Sequence, residues 1–151
     1  MTELWVRLAA AFVGCIGFCI FFNLKKERLL YASVLGTISA AMYLYLEMRM
    51  PENVFVYNLI PAFVCTILSE ISARWKKAPA TIFILPSIIV LIPGGSFYYT
   101  MSYLVSGNQE LFREWGSRTV QSALGISVGI LVASLVFYQV LNMIKWIKEK
   151  V

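Results

Sequence analysis

The stretch PATIFILPSIIVLIPGGSFYYTMSYLV, residues 79–105, decides how this chain folds. Its apolar run is longer than the roughly 20 residues with which a helix crosses a ~30 Å hydrocarbon core. Near its middle stand Pro93, Gly94 and Gly95. Proline cannot donate a backbone hydrogen bond, and glycine permits backbone angles that are closed to other residues. The sequence therefore predicts a membrane-spanning helix that breaks at Pro93-Gly94-Gly95.

Four other apolar runs flank this segment, at about residues 4–24, 29–46, 54–72 and 119–144. The chain of 151 residues is 60% hydrophobic and 14% charged, with a mean hydropathy of +0.75, whereas a soluble domain carries about 25% charged residues. We predict an all-α integral membrane protein with about five transmembrane helices in a single domain, residues 1–151. The polar residues 106–118 are predicted to form the only sizeable loop. The first run lacks a basic start and a small-residue cleavage site, so it should remain as a helix.

Positive charge predicts the orientation of these helices, because Lys and Arg favour the cytoplasmic side. Nine of the 13 positive residues lie in two connections and the C-terminal tail: Lys25, Lys26, Arg28, Arg74, Lys76, Lys77, Lys145, Lys148 and Lys150. The other four lie on the opposite side: Arg7, Arg49, Arg113 and Arg118. We therefore predict an outside N-terminus and a cytoplasmic C-terminus. A re-entrant fourth segment would place the lysine-rich tail outside, so a complete but broken crossing is the better interpretation.

The residue inventory argues against several classes of function. All eight acids are glutamates, and there is no Asp or His, so an enzyme active site or a metal site would be hard to assemble and no cofactor is expected. The basic residues form short clusters between apolar runs, a pattern typical of membrane orientation and not of nucleic-acid binding. Cys15, Cys19 and Cys65 lie within apolar runs, where thiols pack like small apolar side chains.

The break is the best candidate for a binding site. Unwound backbone at membrane depth is tolerated only where protein or a water-filled cavity satisfies its polar groups, which predicts an internal site. The amides of Gly95, Ser96 and Phe97 would begin a second half-helix whose N-terminus attracts a carboxylate. Ser96 and Tyr99 add hydroxyl donors. The alternative is a kink that serves packing alone, since Pro and Gly are common in membrane helices.

The third run carries a candidate for coupling. Glu70 lies about one turn inside the basic end of the helix, and Arg74 follows one turn later, where the two side chains can pair. Ionisable residues at membrane depth are often functional, but a Glu–Arg pair near a helix end also serves as a simple anchor. In the same run, Asn58 and Pro61 indicate a second kink, and Thr66 and Ser69 indicate a polar face.

Small residues four apart predict close helix packing. The pairs are Ala10 with Gly14, Gly36 with Ala40, and Gly125 with Gly129. Packing within this chain is the simpler interpretation, but stripes on several helices also leave surface for a partner subunit.

Two segments carry a resemblance to a known family. The sequence SEISARWKKAPATIFILPSIIVLIPGGSFYYTM, residues 69–101, resembles the signature of the threonine/serine exporter family, in particular the C-terminal half found in its short, split-subunit branch. The sequence GFCIFFNLKKERLLYASVLG, residues 17–36, is similar to the opening helix and first basic loop of that family. The family pattern falls on these positions: Glu70, Arg74, Pro79, Pro86, Pro93, Gly94 and Gly95.

The resemblance implies a secondary exporter of small carboxylate-bearing metabolites in a bacterial plasma membrane. Fused members carry amino acids such as threonine and serine, and split pairs have been linked to dicarboxylates. Because this chain lacks the half that precedes it in fused members, the resemblance also implies a second membrane subunit of the N-terminal-half type. Coupling to protons is expected, with Glu70, Arg74 and Pro86 in coupling or gating. Two other classes remain open, a non-transporting scaffold or assembly subunit and a passive channel.

Overall fold

The computed structural model describes the backbone of residues 2–150 and the side chains of residues 4–147 and 150. This part of the chain is all-helical. The helices are α1 (Thr2–Phe21), α2 (Lys26–Arg49), α3 (Val54–Trp75), α4 (Thr81–Ile88), which runs on into a 3-10 turn (Ile89–Leu91), α5 (Gly94–Val105) and α6 (Gln109–Lys150). The side chain of Lys148 and the terminal residues 1 and 151, which the orientation and domain predictions include, lie outside the described part.

Four helices of the described chain, α1, α2, α3 and α6, are long and apolar enough to cross a membrane. The candidate for a fifth crossing is α4 followed by α5, two short helices bent by 52° at the break between them, a geometry that fits a broken span or a re-entrant loop. The predicted all-helical class is therefore confirmed, with four spans, or five where the bent pair counts as one. The chain is a multi-pass membrane protein.

The break changes the surface against which the bent α4–α5 segment packs. Helix α2 lies centrally and contacts α1, α3 and α4, whereas α6 lies on the other side of α3. Before the break α4 packs on α2 and α3, and after it α5 packs on α6. A straight helix could not follow both surfaces, so the bend is part of the architecture.

Glycines bring α6 close to α3, as the small-residue pairs predict. A Cβ atom added at Gly125 would lie 2.5 Å from the Phe55 carbonyl oxygen, and one added at Gly129 would lie 2.7 Å from that of Leu59. At Gly36 an added Cβ would overlap the Cys15 sulfur. A Cβ at Gly14 would meet nothing within 4 Å. Two predicted stripes therefore pack inside the chain, whereas the α1 stripe faces outward.

Three helices end in the same hydrogen-bonded motif, with one residue in the left-handed region. These residues are Asn23 (φ 53°), Lys77 (φ 47°) and Gly107 (φ 74°). In each case the next amide donates to the carbonyl five residues back, at 3.0 Å after α1, 2.9 Å after α3 and 3.1 Å after α5. This arrangement satisfies carbonyls that have no partner within the helix. It also allows the short connections that make neighbouring helices antiparallel.

The prediction of a loop over residues 106–118 is wrong. Helix α5 ends at Val105, and α6 begins at Gln109, where the Asn108 Oδ1 accepts a hydrogen bond of 3.3 Å from the Leu111 amide. The polar residues after it continue the helix, so α6 begins ten residues before residue 119. At 42 residues, α6 is about 63 Å long, roughly twice the thickness of the hydrocarbon core. Its polar ends must therefore extend beyond the apolar layer.

Candidate functional site

The backbone between α4 and α5 breaks at the predicted position. Ile92 adopts an extended conformation (ψ 124°), and Pro93 has φ −77° and ψ 57°. The Gly94 amide donates to the Ile92 carbonyl at 2.7 Å, which closes an inverse γ-turn around Pro93. Pro93 is also the N-cap of α5. The backbone conformation of Pro93 thus divides the segment into two half-helices.

The break leaves two backbone donors free. The sequence predicted three available amides, those of Gly95, Ser96 and Phe97. The Phe97 amide is not available, because it donates to the Pro93 carbonyl at 2.9 Å. Among the hydrogen bonds of the described residues, none uses the amide of Gly95 or Ser96. These two N–H groups lie at the N-terminus of α5, where the helix dipole adds partial positive charge. Such a terminus is suited to an anion.

The break lies near the middle of the α4–α5 segment. Thr81–Leu91 precedes it and Gly94–Val105 follows it, and each half is about 18 Å long by helical rise. In a hydrocarbon core ~30 Å thick, both free amides would lie close to the mid-plane, where lipid offers no acceptor.

The break opens to the outside of this chain, not to its interior. Gly94 and Gly95 are exposed, and a Cβ added at either position would meet nothing within 4 Å. The opposite face of α5 packs on α6, where the Thr100 and Thr119 hydroxyls lie 3.1 Å apart. The expectation of an internal site is thus wrong for this chain by itself, because the packing of α5 on α6 turns the break outward.

The two predicted hydroxyl donors differ in their surroundings. Ser96 is half-buried next to the free amides. Tyr99 lies one turn along α5, and its ring is 4.8 Å from that of Trp115 and stacked on that of Tyr103. A groove of about 450 Å³ runs between α5 and α6, lined mainly by apolar side chains that include Phe97. Arg113 also lines it. Sequence reasoning assigned no role to this groove, because it arises from the packing of two helices.

Glu70 and Arg74 do not form the predicted pair. The described side chains instead form an ion pair between Arg118 and Glu114, at 3.2 Å. The Arg74 guanidinium instead lies over the Phe137 ring, 5.0 Å from its centroid, and Glu70 is half-buried. Glu70 precedes the end of α3 by five residues, about 8 Å by helical rise, so it lies nearer that membrane boundary than the break does.

The remaining candidate, Pro86, is part of the core. It is fully buried in α4, and its carbonyl oxygen lies 3.6 Å from the Cys15 sulfur. This position contacts α1 and lies almost two turns before the break. The structure therefore brings Pro93, Gly94, Gly95, Ser96 and Tyr99 together, and it leaves Glu70, Arg74 and Pro86 apart from them.

A cluster of buried hydroxyls was not predicted as a group. The Cys65 thiol lies beside Ser39, Ser69 and Ser87, and all three serines are fully buried. Ser87 donates to the Phe83 carbonyl at 2.6 Å, whereas the hydroxyls of Ser39 and Ser69 have no hydrogen-bond partner among the described residues. The sequence signal was the small polar residues within apolar runs, which indicated a polar face on α3 without showing what that face contacts.

The polar side chains of α3 point inward, as Asn58 shows. Its side chain is 1% exposed and donates from Nδ2 to the Val54 carbonyl at 2.8 Å and to the Ser122 hydroxyl at 3.1 Å. These bonds link α3 to α6 beside the close contact at Gly125. Helix α3 continues through Pro61 without interruption, so the second kink indicated by Asn58 and Pro61 is not a break.

Comparison with known proteins identifies one family. The model of the family described as Threonine/Serine exporter, ThrE, matches residues 7–136 of the chain. The match covers both halves of the α4–α5 segment. No solved structure matches.

Proposed function

The chain belongs to the threonine/serine exporter family, and we propose that it is one membrane subunit of a proton-coupled exporter of small metabolites that carry a carboxylate. Threonine, serine and dicarboxylates are the substrates we propose. The observation that carries this proposal is the pair of free amides, Gly95 and Ser96, at the centre of a broken membrane crossing.

The proposed substrate site consists of Pro93, Gly94, Gly95, Ser96 and Tyr99. The two amides would donate to the substrate carboxylate, and the dipole of α5 would favour its negative charge. The exposed glycines carry no side chain that would obstruct the carboxylate. The hydroxyls of Ser96 and Tyr99 would donate to the polar remainder of the substrate. No charged side chain is needed, which allows the anion to leave again.

We propose that a second membrane subunit, of the N-terminal-half type, covers the break. The free amides open away from this chain's own helices, and hydrocarbon cannot satisfy exposed backbone donors. A polar surface of another subunit, together with the substrate and water, would satisfy them. The complete site would then lie between the two subunits.

The orientation and domain organisation are part of the same proposal. We place the N-terminus outside and the C-terminus in the cytoplasm of a bacterium, with residues 1–151 forming one transmembrane domain that crosses the plasma membrane five times. The nine-to-four distribution of positive residues supports this orientation.

Glu70 is the residue we propose for proton coupling, with Arg74 and Pro86 in gating. Glu70 is half-buried in a membrane-spanning helix, where a carboxylate is costly unless it is protonated or paired. Because Arg74 contacts Phe137 instead, Glu70 is available to take up a proton. Pro86 would give α4 the flexibility to move against α1.

The test is transport by the reconstituted proteins. The chain should co-purify with its partner, and vesicles that contain both should show saturable flux of labelled amino acids or dicarboxylates that depends on a proton gradient. A scaffold subunit would give no flux, and a channel would give flux without saturation or coupling. Either result would overturn the proposal.

A further inference from the structure

A second surface feature lies where the N-terminal part of α2 meets the C-terminal end of α3. A groove of about 330 Å³ there is lined by Leu30, Tyr31, Val34, Leu35 and Ser72. Its wall is almost entirely apolar, and Leu30 and Val34 are exposed along it. The groove lies within the apolar part of both helices, so it would face the acyl chains of the membrane.

A cation lies at one end of this groove. The Lys76 ammonium is 4.2 Å from the centroid of the Tyr31 ring, and Tyr31 is itself one of the residues that line the groove. Lys76 also follows Ser72 by four positions, which places both on one face of the chain as α3 ends. No carboxylate of the described side chains pairs with Lys76, so its charge is available to a ligand.

Aromatic side chains mark the depth of this cation. Trp75 packs edge-on against Tyr31, with ring centroids 6.4 Å apart, and Trp75 is 77% exposed. Tyr and Trp concentrate at the boundary between hydrocarbon and headgroups. Lys76 is therefore at the level of lipid phosphates, and the groove descends from it into the apolar layer. Two further positive residues are close in sequence, Arg28 to Tyr31 and Lys77 to Lys76.

We propose that this groove, defined by Leu30, Tyr31, Val34, Leu35 and Ser72 and capped by Lys76, binds one anionic phospholipid. The headgroup phosphate pairs with the Lys76 ammonium, and one acyl chain occupies the groove between α2 and α3. Charge complementarity selects an anionic lipid over a zwitterionic one, since basic pockets between membrane helices are suited to anionic headgroups. The inference does not depend on the proposed transport function.

The experiment measures lipid binding to the full chain, purified in a neutral detergent. Phosphatidylglycerol or phosphatidylcholine is added, and bound lipid is counted by native mass spectrometry while the unfolding temperature is followed. Phosphatidylglycerol should bind with a stoichiometry of one in preference to phosphatidylcholine. Lys76→Gln should weaken its binding about fivefold, as expected for one lysine near a headgroup. Val34→Trp, which fills the groove at an exposed position, should abolish the specific binding without unfolding the chain.

Lys150 offers a matched control. Its ammonium lies 4.1 Å from the centroid of the Trp146 ring, so it is also a lysine stacked on an aromatic ring, but it does not cap this groove. Lys150→Gln should leave the binding unchanged. The proposal is overturned if Lys150→Gln weakens binding as much as Lys76→Gln, if phosphatidylcholine binds equally well, or if glycerophosphoglycerol, the headgroup without acyl chains, binds as tightly as the lipid.

Discussion

Replacing Gly95 with leucine tests the substrate site most directly. Leucine at this position would occupy the space through which a carboxylate approaches the amides of Gly95 and Ser96. It would not disturb the fold, because an added Cβ meets nothing within 4 Å and Gly95 is not in the left-handed region. Leucine also favours helix more than glycine does. Gly95→Leu should therefore be expressed and folded like the wild type, with an unchanged or slightly higher unfolding temperature.

The expected loss of affinity follows from the two hydrogen bonds. A hydrogen bond to a charged group contributes about 1.5–3 kcal/mol, so losing both would cost about 3–6 kcal/mol, or roughly a hundred- to ten-thousand-fold in affinity. Saturation curves of substrate exchange in reconstituted vesicles measure this change. Gly17→Leu is the matched control, because an added Cβ at Gly17 also meets nothing within 4 Å and Gly17 is in α1, outside the proposed site. It should retain wild-type affinity.

Two results would refute this reasoning. Gly95→Leu with saturable transport at wild-type affinity would show that the substrate does not use these amides. An ester or amide analogue of the substrate that binds as tightly as the acid would show that the site does not recognise a carboxylate. In either case the break would be a packing device.

Three further predictions concern packing, coupling and orientation. Gly125→Ala should lower the free energy of unfolding by about 1–3 kcal/mol, as overpacking does, because the new Cβ would lie 2.5 Å from a backbone carbonyl of α3. Gly14→Ala is the control and should change the stability little. Equal melting temperatures for the two variants would contradict the α3–α6 contact. Glu70→Gln should impair gradient-driven transport while substrate exchange and membrane insertion survive, whereas a joint loss of insertion and activity would favour an anchoring role. In a variant without native thiols, a membrane-impermeant reagent should label a cysteine at Asn108 from outside but not one at Lys150, and the reverse pattern would disprove the orientation.

Features that depend on local chemistry could be predicted from the sequence. Apolar length predicted the spans, because every residue in a hydrocarbon core faces the same requirement for apolarity and internal hydrogen bonding. Pro93 and the two glycines after it predicted the break, because proline lacks a backbone N–H donor and glycine adopts backbone angles closed to other residues. Both effects are local and do not depend on the surrounding fold. The polar residues before residue 119 misled the prediction. Hydropathy shows where a helix leaves the membrane but not whether it continues, and α6 does continue beyond it.

The direction in which the site faces was decided only by the tertiary structure. Whether Gly95 opens inward or outward depends on how α5 packs on α6, which involves residues distant in sequence such as Thr100 and Thr119. The same holds for Arg74, which contacts Phe137 of α6 although helical spacing places it next to Glu70. Spacing along one helix shows which side chains share a face, whereas contacts between helices show which of them meet. The local sequence around Pro93 therefore predicts the free amides at the break, whereas the contacts between α5 and α6 determine that these amides are exposed outward.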